Sequence, residues 1–226
     1  MADKRVMANR AKLIVENGAI STNPRLIRQR FLALNKDRLK LARNVLKKRQ
    51  RTFVDLIPVL FHLNDKNLPG YISERVPSGI SDFSISKRIA KEASRLSNHF
   101  NYDKRAMQIY HIHALYMIGS SGTIAYSESS DFDIWVCHHQ TLSKNRLFLL
   151  QQKCDAIKEW GATLGLEVTF FLMNVDKFRE GKIESLSNES SGSAQYNLLL
   201  EEFYRTGLLL AGKYPAWWLV PPSRGI

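Results

Sequence analysis

The chain has 226 residues, with 33 Lys+Arg against 21 Asp+Glu and a formal net charge of +12. Hydrophobic residues make up 44% and aromatics 10%, which excludes a disordered chain and leaves material for a sizeable core. No apolar run approaches the roughly 20 residues of a membrane helix, no secretory apolar segment opens the chain, and Cys137 and Cys154 alone build neither a disulfide framework nor a metal site; the expectation is a soluble, cytoplasmic protein.

The charge sits at one end. Residues 1–51 carry 15 Lys+Arg and 3 Asp+Glu, whereas residues 52–226 carry 18 of each. Such a segment suits either an anionic partner or a solvated helix face. The second reading is favoured because aromatic residues are not interleaved as a single-strand binder requires, so no specific nucleic-acid partner is expected.

In chain order, residues 1–22 show no period and read as a flexible extension. Asn23-Pro24 starts a helix, Asn as N-cap and Pro at the first position. Ile27, Phe31, Leu34, Leu41 and Val45 follow at helical spacing with Arg38 in the gap, a stripe expected to dock on its own domain. A second helix is expected over Thr52–Leu63, kinked or divided at Pro58. Residues 64–83 hold Pro69-Gly70 and Pro77-Ser78-Gly79 and read as a long loop. A short amphipathic helix is expected from Ser84 to Asn98, then a buried strand from Ile109 to Ile118 ending at Gly119. Phe132, Ile134 and Val136 alternate with Asp131, Asp133 and Trp135 as a second strand. Leu147, Leu150, Cys154, Ile157 and Leu164 return to helical spacing, and Leu166–Leu172 reads as a third strand. A polar loop over 174–194 leads to a last helix from Gln195 to Gly212, with Gly212 as its C-cap. The organisation expected is an extension (1–22), a helical part (23–100), a strand-and-helix core (101–194) and the start of a C-terminal helical part (195–226).

Two segments carry chemistry. Ile118-Gly119-Ser120-Ser121-Gly122 lies where a strand hands over to a short helix. A glycine there lets a phosphate approach the backbone, and free N–H groups with a serine hydroxyl form an anion site. Ten residues separate Ser120 from Asp131-Phe132-Asp133-Ile134. Residues i and i+2 of a strand share a face, so Asp131 and Asp133 stand side by side with Phe132 and Ile134 buried opposite. Two adjacent carboxylates repel unless a cation lies between them, and Mg²⁺ favours one or two carboxylates plus substrate phosphates. Glu167 opens the next strand; if the strands are neighbours, a third carboxylate joins the pair, as in sites whose two metal ions lie roughly 3.5–4 Å apart. His138-His139 point apart on a strand and are not read as a chelate, and His111 and His113 are read as packing or hydrogen-bonding residues.

A small apolar residue, Gly, Ser, the gap and Asp-x-Asp together resemble the signature of polymerase-beta-like nucleotidyltransferases. The stretch Asp131-Phe132-Asp133-Ile134-Trp135-Val136-Cys137-His138 resembles the catalytic segment of bacterial class I adenylate cyclases more closely still. So do Pro69-Gly70-Tyr71, Gln152-Lys153-Cys154, Glu159-Trp160, Glu167 to Leu172, Leu198 to Arg205 and Leu210-Ala211-Gly212-Lys213. The resemblance runs in order from about Arg25 to Pro221. It implies an α+β fold: a nucleotidyltransferase core, a small mixed sheet with helices, preceded by an N-terminal helical segment. It implies that Gly119, Ser120 and Ser121 hold the triphosphate, with Arg205 in reach of phosphates. Asp131, Asp133 and Glu167 would be metal ligands and catalytic carboxylates for Mg²⁺, or alternatively Mn²⁺, and the substrate would be ATP, giving cyclic AMP and pyrophosphate.

The family's Cys-Gly-Ser-Thr-Gln-His stands here as Ser191-Gly192-Ser193-Ala194-Gln195-Tyr196, and its Leu-Asp-Glu-Phe as Leu200-Glu201-Glu202-Phe203. Family members continue into more catalytic sequence and a downstream regulatory domain. The expectation is the catalytic module of such a cyclase, converting ATP to cyclic AMP and pyrophosphate, with this short chain binding Mg-ATP but cyclising it poorly or not at all. The alternatives are a catalytically weak nucleotide-binding module of the same fold and a nucleotidyltransferase acting on nucleic acid.

Overall fold

The computed structural model describes residues 15–16, 19–20, 24–100, 102, 109–119, 131–179 and 192–215. A short antiparallel ladder pairs β1 (Val15–Glu16) with β2 (Ala19–Ile20), inside the segment expected to be irregular. Three helices follow: α1 (Pro24–Val45), α2 (Lys48–His62) and α3 (Lys87–Ser94). Then come β3 (Ile112–Ile118), β4 (Phe132–His138), α4 (Lys144–Thr163), β5 (Val168–Asn174), α5 (Val175–Arg179), α6 (Gly192–Thr206) and β6 (Leu208–Gly212).

The four-stranded sheet has the order β5-β4-β3-β6. β3 runs antiparallel to both β4 and β6, whereas β4 and β5 are parallel and joined through α4. Parallel strands need such a helical crossover. Ser143 starts α4 by accepting from the Arg146 N–H, and Ser86 starts α3 by accepting from that of Ile89. α2 continues through Pro58 as one helix and begins at Lys48, a turn earlier than the apolar pattern suggests.

Alternation in the strands divides the core into two faces. Leu115, Met117, Phe132, Ile134, Val136, Val168 and Phe170 meet Phe53, Leu56, Ile57 and Leu60 of α2 and Leu150, Cys154 and Ile157 of α4. On the other face Tyr116, Ile118, Trp135 and Cys137 meet Phe178 of α5 and Phe203 of α6. The 64–83 loop packs down on the first face: Leu68 and Ile80 are buried, and Ile80 forms a parallel bridge to Ile112.

Two expectations are corrected. Leu208–Gly212 is the edge strand β6 rather than the end of the last helix. Gly207 ends the helix: a Cβ there would lie 2.5 Å from the Phe203 carbonyl oxygen, so only glycine makes this sharp exit. Most of the described apolar stripe on α1 faces outward: Leu34, Leu41 and Val45 are exposed at 60%, 43% and 48%, whereas Phe31 packs against the second core face. The docked side is Asn35, Ala42 and Leu46, flanked by Arg38 and Leu39, and it lies along β6. The reason is the sheet edge: β6 offers unpaired backbone groups, and polar side chains satisfy them where apolar ones cannot.

Candidate active site

Strand register brings Gly119, Asp131, Asp133 and Glu167 to one end of the sheet. Ile118 pairs with Asp133 across β3 and β4, so Gly119 leaves β3 beside the start of β4. Phe132 pairs with Val168 across β4 and β5, and the Phe132 N–H donates to the Glu167 carbonyl oxygen at 2.9 Å. Glu167 therefore enters β5 next to Asp131. Asp131 is exposed and Asp133 half-buried, while Phe132 and Ile134 are buried on the opposite face, as the alternation requires. Ser120 and Ser121 lie outside the described residues.

Asp133 is the electrostatic focus. Burial pushes its carboxyl above the usual range, and the negative charges of Asp131 and Glu202 push the same way. Glu202 projects from α6, an acidic neighbour the sequence reading did not assign. Among the described residues, no three His, Cys, Asp or Glu side chains stand together as a ready-made metal ligand set. The histidines at the opposite end form none either: the His113 and His139 rings lie 5.1 Å apart, and burial lowers His113 to about 4.

Gly119 has φ +89°, and a Cβ built there meets nothing within 4 Å among the described residues. Its N–H is not free: it donates to Thr206 Oγ1 of α6 at 3.0 Å. The expected anion site thus lacks this amide as a donor. Arg205, the neighbour of Thr206, is exposed and pairs with Glu201 one turn back on α6.

α6 is positioned by aromatic packing. The Phe203 ring stacks on Trp135 at 5.4 Å and meets Tyr116 edge-on at 5.0 Å. Trp135 is 2% exposed, so it serves the core and not a stacking surface for a base. A cleft of about 410 Å³ lined by Ser81, Asp82, Phe83, Ser84, Tyr110 and Lys213 lies at the other end of the sheet, away from Asp133.

A small mixed sheet covered by helices, with Asp133 on β4 and Asp131 immediately before that strand, beside Gly119, defines a nucleotidyltransferase-like α+β domain. The Adenylate cyclase NT domain family matches residues 24–218. The chain is 38% identical over 201 residues to the adenylate cyclase of Proteus mirabilis. It is 36% identical over 202 residues to that of Escherichia coli (strain K12), and 35% over 199 to that of Yersinia pestis. Each comparison covers 86% of this chain, and the chain spans 23% of the length of these curated relatives. The chain belongs to the adenylate cyclase N-terminal domain family. Among the described residues, no helix is long and apolar enough to cross a membrane.

Proposed function

We propose that this chain is the nucleotide-handling module of an adenylate cyclase, acting on ATP to give cyclic AMP and pyrophosphate. The observation that carries the reading is the Asp131–Asp133 pair beside Gly119 at the end of β3, in a chain matched by the cyclase family over 24–218. The donor set fits Mg²⁺: two hard carboxylates on one strand face, with Asp133 under repulsion from Asp131 and Glu202 that a divalent cation would relieve. Asp131 and Asp133 would hold the ion, with Glu167 entering β5 beside them. Bound there, it would neutralise charge on the phosphates.

The chain's own residues then position and move a proton. The Gly119 turn, with Ser120 and Ser121, receives the triphosphate, and Arg205 adds positive charge from α6. The ribose 3′-hydroxyl attacks the α-phosphorus. The O3′–P bond forms as the bond from the α-phosphorus to the bridging oxygen breaks, and pyrophosphate leaves with that oxygen. The hydroxyl proton passes to Glu167. Orientation does most of the work in such an intramolecular displacement. ATP is a cytoplasmic metabolite, so the same reading places the protein in the cytoplasm. The much greater length of the relatives leaves room for a regulatory region beyond this module.

The test is calorimetric titration with a non-hydrolysable ATP analogue, with and without Mg²⁺, beside a cyclic AMP assay. Asp131→Asn and Asp133→Asn should each abolish the Mg²⁺-dependent binding while far-ultraviolet circular dichroism stays unchanged. Unchanged affinity in both variants would make the pair structural and remove the proposal.

A further inference from the structure

Arginines of three helices meet over one carboxylate. Asp55 of α2 is mostly buried, its side chain 11% exposed. Its Oδ1 pairs with Nη1 of Arg43 on α1, and its Oδ2 accepts from Nη1 of Arg88 on α3 at 3.0 Å. Arg51 stands one helical turn before Asp55, on the same face of α2. Its Nε donates to the Leu46 carbonyl oxygen at 2.7 Å.

A staple between helices does not require this composition. One carboxylate balances one guanidinium, and here it stands against three. The like charges oppose one another: burial first, then Arg88 and Arg51, lower the Arg43 guanidinium from its usual range. Each guanidinium is anchored through a single nitrogen. The other nitrogens of all three have no hydrogen-bond partner among the described residues. Arg43 and Arg88 keep 32% and 58% of their side chains in solvent, and Arg51 is exposed, so a ligand can reach them.

We infer that Arg43, Arg51 and Arg88 form a second anion site, for a free phosphate compound carrying at least two negative charges. Such an anion balances the charge that Asp55 leaves over, and guanidinium forks match the oxygen edges of a phosphate. The arginines are anchored before the ligand arrives, which reduces the ordering cost of binding. The site needs no metal, because its own cations supply the charge. It also lies across the sheet from Asp133. α2 packs on the face that carries Phe132 and Ile134, and Asp133 alternates to the other. The inference therefore stands apart from the metal-dependent site proposed above.

The experiment titrates inorganic pyrophosphate into the full chain by calorimetry, with EDTA present so that a metal-dependent site stays silent. The parent should bind a single equivalent, and Asp133→Asn should bind as the parent does. Arg51→Gln and Arg88→Gln should each weaken binding by about tenfold or more, as expected for losing charge-assisted hydrogen bonds. Arg95→Gln is the control: it removes the same charge from the end of α3, where Arg95 pairs with Glu92, and should stay within about twofold of the parent. If Arg88→Gln folds poorly by circular dichroism, Arg51→Gln, which leaves the Asp55 pairs intact, carries the comparison. A parent that does not bind pyrophosphate overturns the inference, as do cluster variants that bind at parental affinity. An equal loss in Arg95→Gln reduces the effect to net charge and overturns it too. Loss of binding in Asp133→Asn moves the anion to the carboxylate pair. Binding of phosphatidic acid vesicles without binding of pyrophosphate gives the cluster to a membrane surface, and the inference fails.

Discussion

The side chain of Asn35 bonds to the backbone of Leu209 as a neighbouring strand residue would. Its Nδ2 donates to the Leu209 carbonyl oxygen at 3.0 Å, and the Leu209 N–H donates to its Oδ1 at 2.7 Å. β6 is the edge of the sheet, and this amide completes the ladder there by side chain. Asn35→Ala leaves a buried donor and a buried acceptor unpaired, at an expected cost of about 2–4 kcal/mol. Urea unfolding of the two proteins measures it, and a loss below about 1 kcal/mol would mean that water replaces the amide freely.

Asp133 carries a charge the fold opposes. Its carboxyl is raised by burial first, then by Asp131 and Glu202. The folded state therefore holds its proton to higher pH than the unfolded chain does. Stability contributed by the protonated form is present at low pH and is lost as pH rises from the unfolded value through the raised one. In the metal-free protein, Asp133→Asn should raise the melting temperature at pH 7 and bring no gain near pH 3. Thermal melts at both values decide this, and a variant less stable than the parent at pH 7 would show that the carboxylate makes a bond the asparagine cannot.

Much of the site was legible because strands report their faces locally. Phe132, Asp133 and Ile134 alternate, and that alternation alone places Asp133 away from the core. The parallel neighbour carrying Glu167 follows from a strand, a helix and a strand in succession. The α1 packing was not legible, because apolar residues mark two faces of that helix and the buried one is anchored by Asn35 and Arg38. A polar residue buried to satisfy a sheet edge looks, in a periodicity, like one facing water. β6 was hidden for a related reason. Leu208–Leu210 is too short an apolar run to distinguish strand from helix end, and the signal that could have found the break is Gly207 inside the expected helix. Thr206 leaves no local trace at all, since its partner is Gly119 across the fold.

Lys153 is the buried cation of α4. It is 1% exposed, and its Nζ donates to Asn64 Oδ1 at 3.4 Å. Burial lowers its ammonium from 10.5 to about 8. Because the unfolded chain then binds the proton more tightly than the fold, the protonated form costs stability below pH 8, and that cost fades as pH rises from about 8 towards 10.5. Lys153→Met keeps the length of the side chain and removes the charge. It should stabilise the protein at pH 7 by about 1–3 kcal/mol and by much less near pH 10.5. Denaturant midpoints at the two pH values test it; a destabilised variant at pH 7 would show that the bond to Asn64 outweighs the desolvation.

Two glycines in the left-handed region should respond to alanine to very different degrees. Gly119, at φ +89°, has no described atom within 4 Å of where a Cβ would stand, whereas Gly212, at φ +96°, has the His113 carbonyl oxygen at 2.3 Å and the Ala114 Cα at 2.7 Å. Both substitutions carry the left-handed strain of roughly 1–2 kcal/mol. At Gly119 no described atom adds to that cost, so Gly119→Ala should fold with a modestly lower melting temperature. Its methyl group would occupy the space proposed for the phosphate, and Mg²⁺-dependent binding of a non-hydrolysable ATP analogue should be lost. Gly212→Ala drives a methyl into the β3 backbone, which cannot move away without breaking the β3–β6 ladder, including the Lys213 N–H bond to His113. Soluble yield and circular dichroism should collapse for that variant. A folded Gly119→Ala protein that still binds the nucleotide at parental affinity would move the phosphate away from this turn.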